Sequence, residues 1–173
     1  MVVEESLKKI LVGRTIPSPL GKIWLVATGD ALLVAEFFGQ KYERPFELPE
    51  HTKKHRVLDL AEREFELYFA GKLTVVRTPL AGMGTPFQKK VWRGLCKIPF
   101  GETRSYLELA KSVAIDPAAV RAVGMANARN PIAIFVPCHR VIAASGALSG
   151  YAGGVDKKKW LLAHEAKQLP LLA

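Results

Sequence analysis

"SYLELAKSVAIDPAAVRAVGMANARN", residues 105–130, carries the signals for two short helices joined by a turn. Ser105 and Glu108 have the S-x-x-E spacing of a capping box, which starts a helix. Asp116 and Pro117 start a second helix as its cap and its first-turn proline. Three or four residues between the two helices predict a helix-turn-helix, although an ordinary helical hairpin has the same outline.

The second helix of this pair is rich in small residues, among them Ala119 and Ala122, against which Arg121 and Arg129 stand out. Small side chains allow a helix to approach another surface closely. The net charge of +9 lies mainly in the same half, with 13 Lys and Arg against 5 Asp and Glu in residues 84–173. Residues 1–83 carry 12 Lys and Arg against 11 Asp and Glu. This asymmetry favours a nucleic-acid partner, the alternative being scattered lysines that provide solubility.

The chain before this basic half has the pattern of a small sheet followed by a helix. β-Branched and aromatic runs at 10–16, 22–28 and 31–38 are separated by turn signals, and their close spacing favours antiparallel pairing. Residues 52–71 repeat apolar residues at helical spacing up to Gly71, and "LTVVRT", 73–78, is a candidate further strand. We predict an α+β protein, with no catalytic constellation in this half.

"PLAGMGTP", residues 79–86, is the expected domain boundary because it is rich in Gly and Pro. The predicted domains are therefore an N-terminal α/β domain, 1–83, and a C-terminal helical domain, 84–173. Thr85 and Pro86 begin a helix in which Cys96, among apolar neighbours, is interpreted as a buried structural thiol. Asp156 is the expected cap of the last helix, and 145–154 is a glycine-rich loop, either a pocket cover or a connector.

"PIAIFVPCHR", residues 131–140, places Cys138 beside His139 after what we interpret as a buried extended segment. A thiol reacts as thiolate and needs either a lowered pKa or an adjacent base, but neighbours on an extended chain point to opposite faces. A bridging water could carry the proton to His139, and an acid such as Glu165, or another, could orient the ring. The alternative is an inert buried cysteine beside a surface histidine.

Other site and compartment classes are less favoured by the sequence. Two cysteines are too few for a cysteine-rich zinc site, and His51 with His55 is better interpreted as a solvated helix face than as a metal site. The N-terminus has no secretory signal and no apolar run is long enough to span a membrane, so we expect a cytoplasmic protein without membrane contact. We expect no metal and no cofactor.

The segment 137–165, from "PCHR" to "LLAHE", resembles the signature of the O6-alkylguanine-DNA alkyltransferases. The resemblance extends back through "GTPFQKKVWRGLCKIPFGETRSYLELA", 84–110, and "AAVRAVGMANARNP", 118–131. It is closer to the bacterial and archaeal members, and it implies a ribonuclease-H-like fold for residues 1–83. The implied function is direct-reversal DNA repair, by irreversible transfer of one alkyl group from O6-alkylguanine, with O4-alkylthymine as a secondary substrate, to Cys138 after the nucleotide is flipped out.

The resemblance also implies roles for individual residues. Cys138 would accept the alkyl group, with His139 as its base through a water and Glu165 holding His139. Asn130 would brace the turn before the active-site segment, and Tyr106 would hydrogen-bond the purine ring nitrogen. Arg121 would fill the space left by the extruded base. The remaining implied positions are a DNA-contacting set, Ser105, Ala119, Ala122, Met125 and Arg129, and a substrate pocket, Pro137, Val141, Tyr151, Ala152 and Gly153.

Two departures from the resemblance concern specificity. Met125 stands where many relatives have a second glycine, and Ala152 stands where some have a serine. We expect an altered lesion preference and not a loss of reaction. The expected partner is double-stranded DNA carrying O6-alkylguanine, bound by a monomer. The alternatives are a non-catalytic DNA-binding sensor or regulator, and a cysteine hydrolase that turns over many substrates.

Overall fold

The computed structural model describes residues 11–41, 52–73, 75–148 and 150–168. These residues pack as two compact units, the first made of 11–39 and 52–82 and the second of 40–41 and 83–168. Each unit has its own buried apolar side chains. The division of the chain after residue 83 stays a prediction.

The first unit contains an antiparallel sheet of three strands in the order β1-β2-β3. The strands are β1 (Val12–Ile16), β2 (Ile23–Ala27) and β3 (Leu32–Phe37). Arg14 lies opposite Leu25, and Val26 lies opposite Val34. Both pairs of neighbouring strands are antiparallel, so the predicted antiparallel sheet is confirmed. The turns between the apolar runs are too short for the crossover that parallel strands need.

Helix α1 (Arg56–Phe69) packs its apolar face in the same unit, burying Val57, Ala61 and Phe65. It ends as predicted before Gly71, whose φ of 72° is the left-handed conformation that glycine adopts without strain. The predicted strand at 73–78 is wrong for the residues described there, 73 and 75–78. Two of its backbone N–H groups bind a side chain and not a neighbouring strand. The buried Glu64 carboxylate accepts hydrogen bonds from Arg77 N at 2.6 Å and from Thr78 N at 3.1 Å.

The second unit begins with α2 (Pro86–Leu95), whose first turn is closed by a reciprocal capping box. Thr85 Oγ1 accepts from Gln88 N at 3.2 Å, and Gln88 Oε1 accepts from Thr85 N at 2.9 Å. Cys96 follows as the C-cap and is exposed, so the interpretation of a buried structural thiol is wrong. The helix buries Val91, Trp92 and Leu95, and the next position falls on its outer side.

The predicted helix-turn-helix is present as α3 (Tyr106–Ser112) and α4 (Val120–Ala128), with a 3₁₀ turn at Pro117–Ala119 before α4. The predicted capping box at Ser105 and Glu108 is formed. A Cβ placed on Gly94 of α2 would lie 2.4 Å from Val113 Cγ1, which shows how closely α2 approaches the end of α3. Trp92 Nε1 donates to the α4 carbonyl of Ala126 at 2.9 Å, so α2 also anchors α4.

Two short strands and a final helix complete the second unit. β4 (Arg104–Ser105) and β5 (Val141–Ile142) pair in parallel, which brings the start of α3 beside the chain that follows Cys138. Helix α5 (Val155–Ala166) begins after Gly154, whose φ is 96°. Asp156 lies in the first turn and is not the cap, so that prediction is wrong.

No helix in the described part of the chain is both long enough and apolar enough to cross a membrane.

Candidate functional site

Cys138 opens a 3₁₀ turn, Cys138–Arg140, and is buried with 6% of its surface exposed. Asn130 Nδ2 donates to its sulfur at 3.1 Å. Burial raises the pKa of the Cys138 thiol, although the Asn130 hydrogen bond and the Lys158 charge act to lower it. The resting group is therefore a protonated thiol, which requires a base before it can act as a nucleophile.

The segment before Cys138 is buried as predicted, but it is a series of turns and not an extended strand. Ile134 has a φ of 72°, which is rare for a β-branched residue and must be held by its surroundings. Asn130 supplies that restraint on both sides of Ile134. Its Oδ1 accepts from Ile132 N at 3.0 Å, and its Nδ2 donates to Val136 O at 2.7 Å.

His139 is fully buried and lies against Glu165 of α5, with 2.7 Å between His139 Nε2 and Glu165 Oε1. Because Glu165 accepts this bond, the proton of the neutral ring is on Nε2 and the lone pair is on Nδ1. Among the described residues, Nδ1 has no hydrogen-bond partner. Burial lowers the pKa of His139 despite the opposing effect of Glu165, so the ring is neutral and able to take up a proton.

Arg140 holds the same carboxylate from the other side. Its Nε donates to Glu165 Oε2 at 2.8 Å and its Nη2 to Glu165 Oε1 at 3.0 Å, while Gly101 N donates to Oε2 at 3.0 Å. Burial alone would raise the pKa of Glu165, but the hydrogen bonds and charges of His139 and Arg140 hold it well below its usual range. Glu165 is thus an ionised carboxylate inside the protein.

The side chains of Cys138 and His139 diverge as expected, but the expected reason, an extended backbone, is wrong, because the two residues lie in a 3₁₀ turn. Consecutive residues of a 3₁₀ turn are about 120° apart around its axis, at three residues per turn. The two side chains therefore diverge within the turn. This orientation leaves His139 directed to α5 while Cys138 faces Asn130.

Two tyrosines and one lysine interact with Cys138. Burial raises the pKa of Tyr106 and raises that of Tyr151 well above its ordinary value, and the negative charge of Cys138, once its thiol is deprotonated, acts in the same direction on both. Lys158 on α5 is fully buried, and its Nζ donates to Val141 O at 2.7 Å. Burial lowers the pKa of Lys158, whereas the thiolate acts to raise it.

The structure places the expected DNA-contacting residues on or beside the helix-turn-helix. Arg121, Ala122, Met125 and Arg129 are exposed, and Ala119 is half-buried. Ser105 is half-buried and occupied as the cap of α3, where its Oγ donates to Glu108 Oε2 at 2.8 Å. Of the expected pocket residues, Pro137, Val141 and Tyr151 are buried and Ala152 and Gly153 are half-buried.

Three residues in contact with this site were not assigned a role from the sequence: Arg140, Lys158 and Asn127. Lys158 stands in the middle of three consecutive lysines, but it is three residues before Leu161 and seven before Glu165, the period of one helix face. Asn127 is the polar residue on the buried face of α4. Both signals are readable in the sequence once the helix phase is known.

The described residues contain no group of three or more His, Cys, Asp or Glu side chains that could hold a metal ion. His51 lies outside the described residues, so the interpretation of the His51–His55 pair is not tested.

Together, these features define a protein with a small sheet-and-helix unit and a helix-turn-helix unit that carries a buried Cys138 beside a His139–Glu165 pair. Comparisons with known proteins identify the same two parts. Residues 11–81 match the domain family described as "6-O-methylguanine DNA methyltransferase, ribonuclease-like domain", and residues 86–167 match "6-O-methylguanine DNA methyltransferase, DNA binding domain". The chain belongs to the 6-O-methylguanine DNA methyltransferase family.

Individual relatives cover nearly the whole chain. A methylated-DNA–protein-cysteine methyltransferase of Methanosarcina barkeri is 46% identical over 89% of this chain and 96% of its own length. One of Mycolicibacterium paratuberculosis is 46% identical over 91% of this chain and 93% of its own. The crystal structure of Mycobacterium tuberculosis O6-methylguanine methyltransferase matches with a TM-score of 0.81 and 43% identity, covering 94% of this chain and 99% of that one. A structure of the M. tuberculosis protein in complex with DNA has a TM-score of 0.82 at 44% identity, covering 91% and 94%.

Proposed function

We propose that this protein repairs DNA by direct reversal, transferring the alkyl group of O6-alkylguanine, and secondarily of O4-alkylthymine, irreversibly to Cys138. The observation that carries the proposal is the buried His139–Glu165 pair directly after a buried, protonated Cys138 thiol. Relatives that are 46% identical are named methylated-DNA–protein-cysteine methyltransferases, a name that describes methyl transfer from DNA to a protein cysteine.

The reaction balances as one substitution. The Cys138 thiol gives its proton to His139 Nδ1 through a water, and the sulfur then attacks the alkyl carbon. The bond from that carbon to O6 breaks, and its electron pair stays on the purine, which takes a proton at a ring nitrogen. The products are a Cys138 thioether and unmodified guanine in the DNA.

Glu165 and Arg140 set the conditions for His139 to act as the base. Glu165 accepts a hydrogen bond from Nε2–H and stabilises the imidazolium that forms when Nδ1 is protonated. Arg140 and Gly101 hold the carboxylate in place, so it remains ionised although it is buried. Asn130 positions the sulfur and maintains the turn that presents it.

Tyr106 is the proposed proton donor to the leaving purine. Its raised pKa means that the phenol carries its proton at neutral pH and is available to donate. The proton lost by Cys138 restores the phenol, so that the net reaction moves one proton from sulfur to guanine. Pro137, Val141, Tyr151, Ala152 and Gly153 form the proposed pocket for the flipped base and its alkyl group.

The protein is consumed by the reaction because water does not readily cleave a thioether. The second cysteine, Cys96, is exposed at the end of α2, whereas Cys138 is buried. We therefore propose one lesion repaired per protein molecule, without a metal or cofactor.

DNA binding is proposed for the exposed side of the helix-turn-helix. The O6 atom lies within the base stack, so the nucleotide must be extruded at a cost of about a few kcal/mol. Arg121 is exposed on α4 and would fill the vacated space. The residues that would face the duplex are Ala119, Ala122, Met125, Arg129 and Ser105. Basic residues of the second half would offset the cost through phosphate contacts that weaken with salt. We place this activity in the cytoplasm and expect a monomer.

The direct test is intact mass and peptide mapping after incubation with an O6-methylguanine duplex. We expect one methyl group on each protein molecule, on the peptide that contains Cys138. Cys138→Ala should abolish transfer and retain lesion binding, and Cys96→Ala is the matched control, which should transfer normally. An unchanged mass with excess substrate would overturn the proposal, as would continuous turnover of an ester, which a cysteine hydrolase would give.

A further inference from the structure

Phe100 lies against the Arg140 side chain, a contact to which the proposed function gives no role. The Arg140 guanidinium carbon lies over the Phe100 ring, 5.4 Å from its centre, within the range at which a cation is attracted to an aromatic face. Only 11% of the Arg140 side chain is exposed, so water screens this attraction in part and not fully. Phe100 therefore belongs to the surroundings of the buried ion pair between Arg140 and Glu165.

A tight turn at residues 99–102 places Phe100 beside this ion pair. Glu102 N donates to Pro99 O at 3.2 Å, which closes the turn. Gly101, in the third position, has a φ of 75°, the left-handed conformation that is typical of a type II turn and favours glycine. Phe100 and Gly101 are therefore the two central residues of the turn, and its backbone fixes where they lie.

This segment contacts the ion pair at three places. Ile98 O accepts from Arg140 Nη1 at 2.7 Å, and Gly101 N donates to Glu165 Oε2 at 3.0 Å. The Phe100 ring, between these two backbone groups along the chain, meets the guanidinium of Arg140. The N–H groups of a guanidinium all lie in its plane, so hydrogen bonds hold it within that plane but do not cover its faces. The ring restrains Arg140 in the direction that its hydrogen bonds leave free.

The orientation of Arg140 bears on His139 because both side chains bind the same carboxylate oxygen. Arg140 Nη2 donates to Glu165 Oε1 at 3.0 Å, and His139 Nε2 lies 2.7 Å from that oxygen. A guanidinium that tilts loses the two parallel bonds by which it holds the carboxylate. The carboxylate is then free to turn away from His139, which weakens its stabilisation of the imidazolium.

We propose that Phe100 is a positioning residue for alkyl transfer, because its ring holds the Arg140 guanidinium in the plane from which it orients Glu165 toward His139. The inference rests on the proposed function, in which His139 takes the proton of the Cys138 thiol. Phe100 acts through Arg140. Its effect therefore depends on an aromatic face and not on the volume that the side chain fills.

The test compares Phe100→Leu with Phe100→Tyr in the full chain, by the single-turnover rate of transfer from an O6-methylguanine duplex. Leucine is apolar but has no aromatic face, whereas tyrosine keeps one. We expect Phe100→Leu to slow transfer about threefold to thirtyfold, the range that the usual strength of such a contact gives. Phe100→Tyr should transfer within about twofold of the wild type. Rates that do not separate leucine from the two aromatic residues would overturn the proposal.

A double-variant cycle tests whether the ring acts through Arg140. Arg140→Lys keeps a positive charge but cannot make two parallel bonds to the carboxylate. In that background Phe100→Leu should slow transfer by less than about a further twofold, because the planar group that the ring restrains is gone. The same slowing in both backgrounds would contradict action through Arg140.

Phe69→Leu is the matched control for the loss of an aromatic ring. Phe69 is also half-buried, and its ring centre lies 5.4 Å from that of Tyr68, in the first unit. This variant should transfer at the wild-type rate, and slowing equal to that of Phe100→Leu would show a general effect of lost packing and overturn the proposal.

Folding is not expected to obscure the result, since Phe100 is only half-buried. If Phe100→Leu nevertheless unfolds, Phe100→Met gives the same comparison with a flexible side chain that also has no aromatic face. A wild-type protein that transfers no alkyl group would refute the proposed function itself. That outcome is distinct from a Phe100→Leu variant that transfers as fast as the wild type, which would refute only the role of the ring.

Discussion

Glu165→Gln removes the central charge of the candidate site while keeping the shape of the side chain. From residues that the structure describes, the carboxylate accepts four hydrogen bonds, two on each oxygen: from His139 Nε2 and Arg140 Nη2 on Oε1, and from Arg140 Nε and Gly101 N on Oε2. In glutamine one oxygen becomes an NH₂ group, which faces two donors in either orientation. At least two of the four bonds are then lost.

The expected cost is large because Arg140 loses its ion-pair partner within the protein. Removing one member of a buried ion pair typically costs about 3–5 kcal/mol. The Glu102–Arg104 pair provides the matched control, since its side chains are 47% and 42% exposed. Glu102→Gln should cost between about 0 and 1 kcal/mol.

Urea unfolding measures both variants, with Trp92 and Trp160 as fluorescent reporters in the same unit as Glu165. We expect the free energy of unfolding to fall by several kcal/mol for Glu165→Gln and to stay nearly constant for Glu102→Gln. Transfer to Cys138 should also slow in the Glu165 variant, because its His139 no longer has a charged partner. Equal free energies of unfolding for the two variants would refute the reasoning about the buried network.

Two further predictions concern packing and pH. Gly94→Ala places a Cβ 2.4 Å from Val113 Cγ1 and should lower the free energy of unfolding in urea by about 1–3 kcal/mol. The control Gly29→Ala, whose Cβ would meet nothing within 4 Å, should leave that free energy nearly unchanged. Equal effects of the two substitutions would contradict the close α2–α3 contact. The pKa values of His139 and Glu165 in the folded protein lie below their ordinary values of 6.5 and 4.5. As the pH falls below each ordinary value, the unfolded chain therefore binds more protons than the folded one. Stability should therefore be lost below about pH 6.5 and further below about 4.5, and Glu165→Gln should reduce the second loss; an acid titration identical to the wild type would argue against an ionised Glu165.

Local signals in the sequence were sufficient to predict most elements of the fold. The caps at Thr85 and Ser105 and the glycine at 71 are short-range features, determined by side chains within one turn of the backbone groups that they satisfy. The three strands followed from apolar runs separated by turns. The strand predicted at 73–78 was wrong because a distant side chain, Glu64, takes the N–H groups that a strand partner would have used.

The candidate site was predicted only in part, since the geometry depends on contacts far apart in sequence. From the residues alone Glu165 was one acid among several, and only the family resemblance singled it out; in the structure α5 brings it to His139, 26 positions earlier. Arg140, Lys158 and Asn127 were missed because charged and amide residues ordinarily lie at the surface, and their burial depends on the packing of α4 and α5. Cys96 is the opposite case: its apolar neighbours in sequence predicted burial, but the side chain lies on the outer side of its helix and is exposed.

The central claim, that Cys138 accepts one alkyl group and is then spent, is tested most directly by a stoichiometric titration. Increasing amounts of protein are added to a fixed amount of O6-methylguanine duplex, and the lesions remaining are counted after the reaction has stopped. The account predicts a straight line with one lesion removed per protein molecule and an equal amount of methylated Cys138. Removal of several lesions per molecule, or methylation at another residue, would contradict it.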